Sequence, residues 1–381
     1  MLPYDYLIVG AGLCGSVLAE RLAWSGARVL VVEKRPFAGG NLRCEDIEGI
    51  TVHRYGAHIF RTSDHDVWNY VNRFTGFNRF TNEPVANYRG ELYNLPFNMN
   101  TFRQLYGVRT PEQALAAIQR DRVPCEKPRN LEEHVLSLVG RVVYEKLIKG
   151  YTEKQWGKPC SELPASIMRR IPVRFTFDNN YFNDRWQGIP EIGYNGLIDR
   201  LLSGVPVILN TDYNRNRELL NKLARLVIYT GPVDALFDEK EGRLEYRSLR
   251  FENQHYHTNN KQGVAVMNYT DEETPYTRVI EHKHFLFGDH LDHTVCTREY
   301  PQKYEGDAEP YYPIETPGNI GLYNTYREKA EKAGIILCGR LAEYRYYDMQ
   351  ETIASALILA DKLIKGAERW QNLNTSLPAN T

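Results

Sequence analysis

Two short, continuously apolar segments near the start of the chain flank a segment whose apolar residues have helical spacing. Residues 6–9 and 28–32 have the length and composition of buried strands. Between them, Val17, Leu18 and Leu22 would share one face of a helix. The pattern therefore predicts a strand, a helix and a second strand, which is the order of a βαβ unit.

A glycine-rich turn, GAGLCG over residues 10–15, joins the first strand to the helix. Gly10 allows the tight turn, Gly12 lets the backbone approach a pyrophosphate, and Gly15 lets the helix pack closely on the strand. The helix N-terminus then presents free N–H groups to the phosphates. Glu33, after the second strand, can accept hydrogen bonds from both hydroxyls of an adenosine ribose and disfavours a 2′-phosphate. We therefore predict a dinucleotide site, and not one for NADP.

A second glycine pair distinguishes between the remaining dinucleotides. Gly39 and Gly40 follow Glu33 closely and precede Asn41. A simple NAD-binding domain does not require glycines there. Flavoproteins with an FAD domain of the glutathione-reductase type resemble this arrangement and use the pair to bring the backbone close to the flavin. FAD is therefore predicted ahead of NAD.

The hydrophobic period changes in the middle of the chain. From about residue 100 to 158, apolar residues recur at helical spacing. From residue 171 the period drops to two, because Val173, Phe175 and Phe177 alternate with polar residues. The change predicts an inserted helical domain followed by a sheet. Further strands of that sheet are predicted at 244–251, 263–269 and 279–285.

Buried strands of the first domain are predicted again at 205–209, 226–229 and 335–337, and a final helix at 349–364. The fold class that follows is α/β, a Rossmann-like FAD-binding domain with an inserted helical domain and an antiparallel β-sheet domain. The predicted limits are 1–80, 200–243 and 315–381 for the FAD-binding domain, 95–160 for the helical domain, and 165–199 with 244–314 for the sheet domain.

Composition narrows the partners. The chain has 381 residues, 47 basic and 48 acidic, and a formal net charge of −1. Since the two signs are intermixed, neither a nucleic acid nor an anionic membrane is expected as a partner. The six cysteines form no C-x-x-C pair, which favours reduced thiols and a cytoplasmic location. We expect neither export nor membrane insertion, because the N-terminus lacks an export signal and no apolar run approaches ~18 residues.

Five segments are together rich in arginine, aromatic and amide side chains. Arginine offers a planar fork to phosphate oxygens, and tyrosine offers a stacking face with a hydroxyl, so the mixture suits a nucleotide diphosphate. With 26 tyrosines in the chain, the same residues could also be amphipathic sheet residues, and composition does not choose between the two. The segments are 150–156, 169–174, 179–182, 275–278 and 309–313.

Two other kinds of site are weaker. His282 and His284 would share one face of a strand, but no third ligand is evident, so a polar strand face is favoured and no metal is predicted. Glu299 and Asp348 are the nearest candidates for paired carboxylates acting on a glycosidic bond, which sequence spacing does not test. Arg340, before the last helix, is either a phosphate ligand or an ordinary surface arginine.

Seven segments make the chain similar over nearly its whole length to the prokaryotic UDP-galactopyranose mutases. The resemblance implies an FAD-dependent isomerase that interconverts UDP-galactopyranose and UDP-galactofuranose by ring contraction, with no net redox change. In that family, N5 of reduced FAD is thought to attack the anomeric carbon as a covalent nucleophile and to displace UDP. The segments are 55–60, 77–82, 95–100, 149–156, 170–181, 275–285 and 340–349.

The same resemblance implies roles for individual residues. The implied catalytic groups are Arg170 and Arg278, which would bind the UDP diphosphate, and His58, which would lie beside the flavin and favour its reduced state. The implied substrate-binding residues are Arg278, Tyr181, Tyr311 and Tyr346 at the phosphates, Asn82, Tyr151 and Thr152 at the uridine, and Trp156 and Asn268 at the sugar. The implied FAD-binding residues are Gly10, Gly12, Leu13, Gly15, Glu33, Lys34, Gly40, Asn41, His58, Ile59, Arg340, Asp348 and Met349.

The resemblance also implies a mobile lid over 166–177, a homodimer and an external reductant such as NAD(P)H. One residue departs from the family pattern. Leu147 occupies the place where an aromatic residue often faces the uracil-stacking tyrosine, so uracil would stack on one side only. Two rival functions remain: a flavin oxidoreductase, since such enzymes share this FAD domain, and a scaffold of the same fold that holds no flavin.

Overall fold

The structure, a computed structural model, describes residues 2–165, 167, 173–287, 291–306 and 308–375. Its strands, numbered along the chain, are β1 Tyr4–Val9, β2 Val29–Val32, β3 Cys44–Ile47, β4 Ile50–His53, β5 Phe60–Thr62, β6 Val85–Tyr88, β7 Glu91–Asn94, β8 Trp186–Gly188, β9 Val207–Ile208, β10 Ala224–Tyr229, β11 Tyr246–Tyr256, β12 Val266–Tyr269, β13 Arg278–Glu281, β14 Thr294–Lys303, β15 Tyr312–Pro313 and β16 Ile335–Leu337. Its helices are α1 Leu13–Trp24, α2 His65–Asn72, α3 Met99–Tyr106, α4 Pro111–Asp121, α5 Leu131–Val139, α6 Arg141–Val143, α7 Gly150–Trp156, α8 Gly193–Leu201, α9 Tyr213–Leu220, α10 Pro317–Lys332 and α11 Met349–Thr375.

The first sheet is parallel, and the predicted βαβ unit lies at its centre. The strand order is β16-β10-β1-β2-β9, so β1 lies between β2 and β10. The predicted strands at 226–229 and 335–337 are confirmed, while the strand predicted at 205–209 is limited to Val207–Ile208 at the edge. Because parallel strands end at one edge of a sheet, the turns after β1, β2, β10 and β16 meet there.

The second sheet has the order β15-β11-β14-β13-β12-β6-β7. Its pairs are antiparallel except for β6 with β12, which is parallel. The strands predicted at 244–251 and 263–269 are confirmed with shifted ends, as β11 and β12. β6 and β7 come from residues 85–94, which the predicted domain limits leave out.

Two strand predictions are wrong in part. Of the strand predicted from residue 171, residues 171–172 lie outside the described part, and Val173 forms only an isolated bridge with Phe97. The segment is irregular because Arg174 donates to Asp178 (2.9 Å) and to the Phe182 carbonyl (3.1 Å), which folds it back on itself. The strand predicted at 279–285 ends at Glu281, and a buried 3₁₀ turn, His282–Phe285, follows it.

Helices α3 to α7 surround a core of their own. α6 runs into a π-helix, Tyr144–Lys149, and then into α7, so one continuous helical run carries both Leu147 and Tyr151. α8 packs against α1 of the first domain, although the predicted limits place residues 193–199 with the sheet domain. No helix in the described part combines the length and hydrophobicity needed to cross a membrane.

Candidate functional site

A cavity of about 500 Å³ lies at the carboxyl edge of the parallel sheet. The turns after β1, β2, β10 and β16 bound it, so both ends of the chain contribute. This is where doubly wound α/β folds bind dinucleotides. The predicted cofactor residues that line the cavity are Gly10, Gly12, Leu13, Glu33, Lys34, Gly40, Asn41, His58, Arg340 and Met349.

The glycines of the first turn differ in why they must be glycine. Gly10 has φ +103°, and a Cβ there would lie 2.2 Å from Thr230 Oγ1. A Cβ on Gly15 would lie 1.9 Å from the Gly10 carbonyl oxygen. Gly12 has extended backbone angles, and its Cβ would meet only Gly40 Cα, at 3.8 Å. Since the packing of the protein does not exclude a side chain at Gly12, the space it leaves fits a ligand that approaches the backbone closely.

Glu33 joins the glycine turn to the next wall of the cavity. It is 6% exposed, and its two oxygens accept from the N–H groups of Ala11 and Arg35, each at 2.9 Å. Each carboxylate oxygen keeps a further lone pair, which suits ribose hydroxyls. Lys34 and Arg35 lie 3.3 and 3.1 Å from Glu309, so the segment before β15 closes this end.

Arg340 and Asp348 hold the segment that closes the other end. Arg340 Nε donates to the Tyr347 carbonyl (2.9 Å), and its Nη1 donates to the Tyr311 carbonyl (3.3 Å), so Arg340 is not an ordinary surface arginine. Asp348 accepts from the Glu351 N–H (3.1 Å) at the start of α11 and pairs with Arg61 (2.6 Å). Asp348 is therefore held in position by groups of the protein.

Ile59, which the resemblance assigns to the cofactor, is half-buried against the main core and does not line the cavity. Asp348 and Gly15 also lie behind the lining residues. None of the three is therefore among the lining residues of the cavity.

A second group of polar residues crosses three neighbouring strands. Asn268, Arg278 and Glu299 are register partners on β12, β13 and β14, so their side chains emerge on one face. Arg278 Nη2 donates to the Tyr151 hydroxyl at 2.7 Å. Arg278 Nε lies 3.4 Å from Glu299 Oε1, yet these two atoms and Asn268 Oδ1 are buried without a hydrogen-bond partner among the described residues. Buried polar atoms of this kind suit a polar ligand.

Electrostatic interactions within the row of Asn268, Arg278 and Glu299 keep the Arg278 guanidinium positively charged. Burial opposes the charge of Arg278, but Glu299 and Tyr151 raise the pKa of its guanidinium well above the usual value. Burial raises the pKa of the Glu299 carboxyl, and Arg278 opposes the rise. A guanidinium with free N–H capacity in a half-buried cleft is suited to bind phosphate oxygens.

Four tyrosines surround Arg278. Tyr312 and Tyr346 stack with ring centres 5.6 Å apart, and the Arg340 guanidinium lies 5.3 Å from the Tyr346 ring. Burial raises the pKa of Tyr181 to about 12, and its charge neighbours include Tyr151 and Arg278. Burial likewise raises the pKa of Tyr312, whose neighbours include Glu299 and Arg278. The cleft therefore offers neutral hydroxyls beside a fixed cation.

Tyr312 neighbours Arg278, at the position where the sequence interpretation expects Tyr311. The Tyr311 ring instead lies 6.5 Å from that of Tyr55 and 5.9 Å from that of Phe251, beside Arg35. Successive residues in extended chain point to opposite sides, so only one of this pair can face Arg278. The role implied for Tyr311 stays a prediction, and Tyr312 is the residue of the pair whose charge neighbours include Arg278.

The remaining predicted substrate residues fall on both sides of the cleft. The Tyr181 N–H donates to the Asn82 carbonyl at 2.8 Å, which brings Asn82 beside the tyrosines. Thr152 is buried on α7, next to Tyr151, and Trp156 packs against the helical core. Leu147 is buried one turn before Tyr151. Arg170 and most of the predicted lid, residues 166 and 168–172, lie outside the described residues.

Lys154, to which the sequence interpretation gives no role, connects α7 to the hairpin that carries Arg278. Its ammonium donates to the carbonyls of Tyr269 (3.0 Å), Thr274 (2.9 Å) and Tyr276 (3.2 Å). Burial lowers its pKa to about 8, and Asp271 opposes the fall. In the sequence, nothing distinguishes Lys154 from the other lysines.

We expect Lys154→Met to lower the free energy of unfolding by about 2–3 kcal/mol, because three buried carbonyls lose a charged donor. Denaturant unfolding measures the loss. Lys149→Met is the matched control, since Lys149 forms one exposed ion pair with Glu272 (3.2 Å), of a kind that contributes little. Equal stability of the two variants would contradict the role of Lys154.

Three histidines lie beside or beneath the cavity wall. Burial lowers the pKa of His58 to about 4, with Arg340 and Arg278 adding to the fall. Burial also lowers the pKa of His282 to about 3 and that of His53 well below its usual value. At neutral pH all three are uncharged, so His58 faces the cavity as a neutral imidazole.

We expect the free energy of unfolding to fall as the pH drops below about 6.5. The unfolded chain then binds protons at these histidines while the folded chain does not, so stability that is complete above pH 6.5 is lost toward pH 4. Between its folded and unfolded pKa values, each histidine lowers the free energy of unfolding by about 1.4 kcal/mol for each unit by which the pH falls. Urea unfolding at about pH 7.5 and pH 5 measures the loss in the free energy of unfolding. His282→Asn should reduce this loss by the contribution of one histidine. Equal stability at both pH values would refute the expectation.

The alternative sites are not assembled. Within the described residues, no group of three His, Cys, Asp or Glu side chains is placed to hold a metal ion. His282 is 1% exposed and lies in a turn, so it is not part of a polar strand face. Glu299 and Asp348 each form an ion pair with an arginine, Arg278 (3.4 Å) and Arg61 (2.6 Å) respectively.

Fold and site together define a Rossmann-type enzyme that holds a dinucleotide beside a cationic, tyrosine-lined cleft. A sequence profile described as UDP-galactopyranose mutase matches residues 146–346, and one described as an NAD(P)-binding Rossmann-like domain matches residues 8–74. The chain belongs to the UDP-galactopyranose mutase family. The resemblance indicated by the sequence motifs and the predicted fold class are thereby confirmed.

Individual relatives match along nearly the whole chain. A Klebsiella pneumoniae protein named "probable UDP-galactopyranose mutase" is 38% identical and covers 97% of each chain. A dTDP-fucopyranose mutase of Escherichia coli is 37% identical, over 94% of this chain and 98% of the relative. A crystal structure of reduced UDP-galactopyranose mutase has a TM-score of 0.70 at 16% identity, over 96% and 94% of the two chains, which supports the fold.

Proposed function

We propose that the protein interconverts UDP-galactopyranose and UDP-galactofuranose and uses FAD for this reaction. The observation that carries the proposal is the half-buried Arg278 guanidinium, which donates to Tyr151, neighbours Tyr181 and Tyr312, and helps to lower the pKa of His58 in the dinucleotide cavity. The profile match and the K. pneumoniae relative support the same reaction.

The residues of the cavity fit FAD. Gly12 and Gly40 lie back to back and leave room that a pyrophosphate-bearing ligand would fill, and Glu33 retains acceptors for a ribose. When bound in its reduced form, FAD would supply the nucleophile, its N5, that reacts at the anomeric carbon of the sugar. Because the flavin returns to its starting state, the reaction would involve no net redox change.

The protein's part is positioning and charge stabilisation. Arg278, with Arg170, would bind the UDP diphosphate and stabilise it as it leaves, and the hydroxyls of Tyr181, Tyr312 and Tyr346 would donate to its oxygens. Asn82, Tyr151 and Thr152 would hold the uridine, and Trp156 and Asn268 would contact the sugar. His58 and Arg340 would hold the flavin so that its reactive edge meets the sugar.

The proposal includes three further points, of which the reductant and the dimer rest on the family resemblance and the location rests on the cysteine pattern. The flavin would be reduced by an external donor such as NAD(P)H, the enzyme would act as a homodimer, and it would work in the cytoplasm. The expectation that Leu147 leaves the uracil stacked on one side concerns affinity and not the type of reaction.

The decisive experiment uses purified protein reduced with dithionite and incubated with UDP-galactofuranose. We expect UDP-galactopyranose to accumulate, as followed by chromatography, and little conversion with oxidised protein. Stoichiometric hydride transfer from the reduced flavin to the sugar nucleotide in place of isomerisation would support the flavin oxidoreductase. A colourless protein that takes up no FAD would support the scaffold.

A second substrate has a specific observation in its favour, because the E. coli dTDP-fucopyranose mutase is almost as similar as the K. pneumoniae relative. The same assay with dTDP-fucopyranose compares the two. A higher kcat/KM for UDP-galactofuranose than for the dTDP-sugar supports our proposal, and the reverse order would replace its substrate.

A further inference from the structure

The turn that carries His58 is held from beneath by two other histidines. This turn, residues 53–58, connects β4 to the segment before β5, and His58 lines the dinucleotide cavity. His53 and His282 are 3% and 1% exposed. Neither contacts the cavity, and the proposed reaction assigns neither a role.

The rings of His53 and His282 each accept a hydrogen bond from the backbone of the preceding histidine in the series His58, His53, His282. His53 Nδ1 accepts from the His58 backbone N–H, and His282 Nδ1 accepts from the His53 backbone N–H, both at 3.2 Å. On its other side, His282 Nε2 lies 2.6 Å from Thr297 Oγ1, which donates to Asn253 Oδ1 at 2.8 Å. We call His53, His282 and Thr297 the relay.

The partners fix the protonation of each ring. Because Nδ1 of His53 and of His282 accepts from a backbone N–H, neither nitrogen carries a proton. His282 must then donate from Nε2, since the hydroxyl proton of Thr297 is used toward Asn253. His58 Nδ1 lies 2.8 Å from the Gly56 carbonyl oxygen, which can only accept. His58 therefore carries its proton on Nδ1 and keeps Nε2 as an acceptor.

The relay connects the cofactor side of the site to the substrate side. His282 follows β13, which begins with Arg278, and Thr297 lies two residues before Glu299 on β14. A Cβ on Gly56 would lie 3.1 Å from Glu299 Oε2, so the turn rests directly against this row. The His53 ring also stacks on Phe285 (4.7 Å, 12°), which limits how the turn can move.

We propose that His282 and His53 are positioning residues, which fix the 53–58 turn and present His58 to the cofactor as a neutral ring with Nε2 as its acceptor. The inference rests on the proposed function, because the cofactor is the FAD proposed above. Apolar side chains of similar size would fill the same core without bonding two successive backbone N–H groups, so packing alone does not explain these residues.

The test compares His282→Phe, which removes the Nδ1 acceptor and keeps a ring, with His282→Asn, whose side-chain oxygen can take the Nδ1 position. We expect His282→Phe to weaken FAD binding by roughly ten-fold, as loss of one buried hydrogen bond allows, and to shift the flavin midpoint potential. His282→Asn should restore both. Cys296→Ala, a buried change on β14 beside Thr297 but outside the relay, should leave both unchanged.

A second readout needs no flavin. In the apoprotein, ¹⁵N NMR should show His58 protonated on Nδ1, and His282→Phe should mix its tautomers. If His282→Phe binds FAD like the wild type and keeps the His58 tautomer, the histidines only fill the core and the proposal is overturned. If even the wild type binds no FAD, the proposed function fails, while the NMR comparison still decides whether the relay positions His58.

Discussion

Replacing Arg278 by alanine is expected to lower kcat/KM for the mutase reaction by a factor of roughly 30 to 5,000, which corresponds to about 2–5 kcal/mol of lost binding to the transition state. The Arg278 guanidinium donates to the Tyr151 hydroxyl (2.7 Å) and neighbours Tyr312, and a diphosphate gains negative charge as it leaves the sugar. Steady-state kinetics of the reduced enzyme with UDP-galactofuranose measures the effect.

Two controls separate chemistry from folding. Arg298 lies on the neighbouring strand but pairs with Glu252 at the surface (3.8 Å), so Arg298→Ala should retain most of the activity. Arg278→Ala also leaves the buried Glu299 carboxylate without its partner. The double variant Arg278→Met/Glu299→Gln removes that charge and should regain stability without regaining activity. Near wild-type turnover in either Arg278 variant would refute the assigned role.

Adding one methyl group at Gly12 is expected to weaken flavin binding while the protein still folds. The backbone angles at Gly12 admit alanine, and a Cβ there meets Gly40 Cα only at ordinary contact distance. The new methyl group would occupy the space through which the pyrophosphate approaches the turn. We expect Gly12→Ala to weaken FAD binding by about 2–3 kcal/mol, measured by titration of the apoprotein with FAD, with an unchanged melting temperature.

Gly15→Ala is the matched change with the opposite expected outcome. Its Cβ would overlap the Gly10 carbonyl oxygen at 1.9 Å, so the helix cannot remain against the turn. The Gly15→Ala apoprotein should therefore be less stable than the wild-type apoprotein. If Gly12→Ala retained FAD as tightly as the wild type, the close approach of a ligand at this turn would be disproved.

The sequence predicts the parallel sheet and its glycine turn well because local patterns determine them. Continuous apolar runs define β1 and β2, and the positions of Gly10, Gly12 and Gly15 express the geometry of a single turn. The prediction of a strand over 173–177 is wrong because it, too, relied on a local pattern. Its alternation is a local pattern, but the long-range bridge of Val173 to Phe97 and the bonds of Arg174 decide its conformation.

The candidate site is less predictable, because it depends on contacts between distant segments. Tyr311 and Tyr312 are equivalent in sequence, and only the path of the chain into β15 decides which faces Arg278. Lys154 and His282 act through backbone carbonyls and N–H groups, which no residue pattern marks. His282 stands in the polar run Glu281–His284, so the sequence does not distinguish it from its neighbours.

The strand order of the parallel sheet has a consequence for how the protein is made. β1 emerges from the ribosome first, yet its neighbour β10 and the wall formed by β16 come some 220 and 330 residues later. At about 5–20 residues per second, the nascent chain therefore waits from roughly a quarter of a minute to a minute before the cavity can close. During that time one edge of β1 has no partner, so the dinucleotide cavity is complete only when nearly the whole chain has been synthesised.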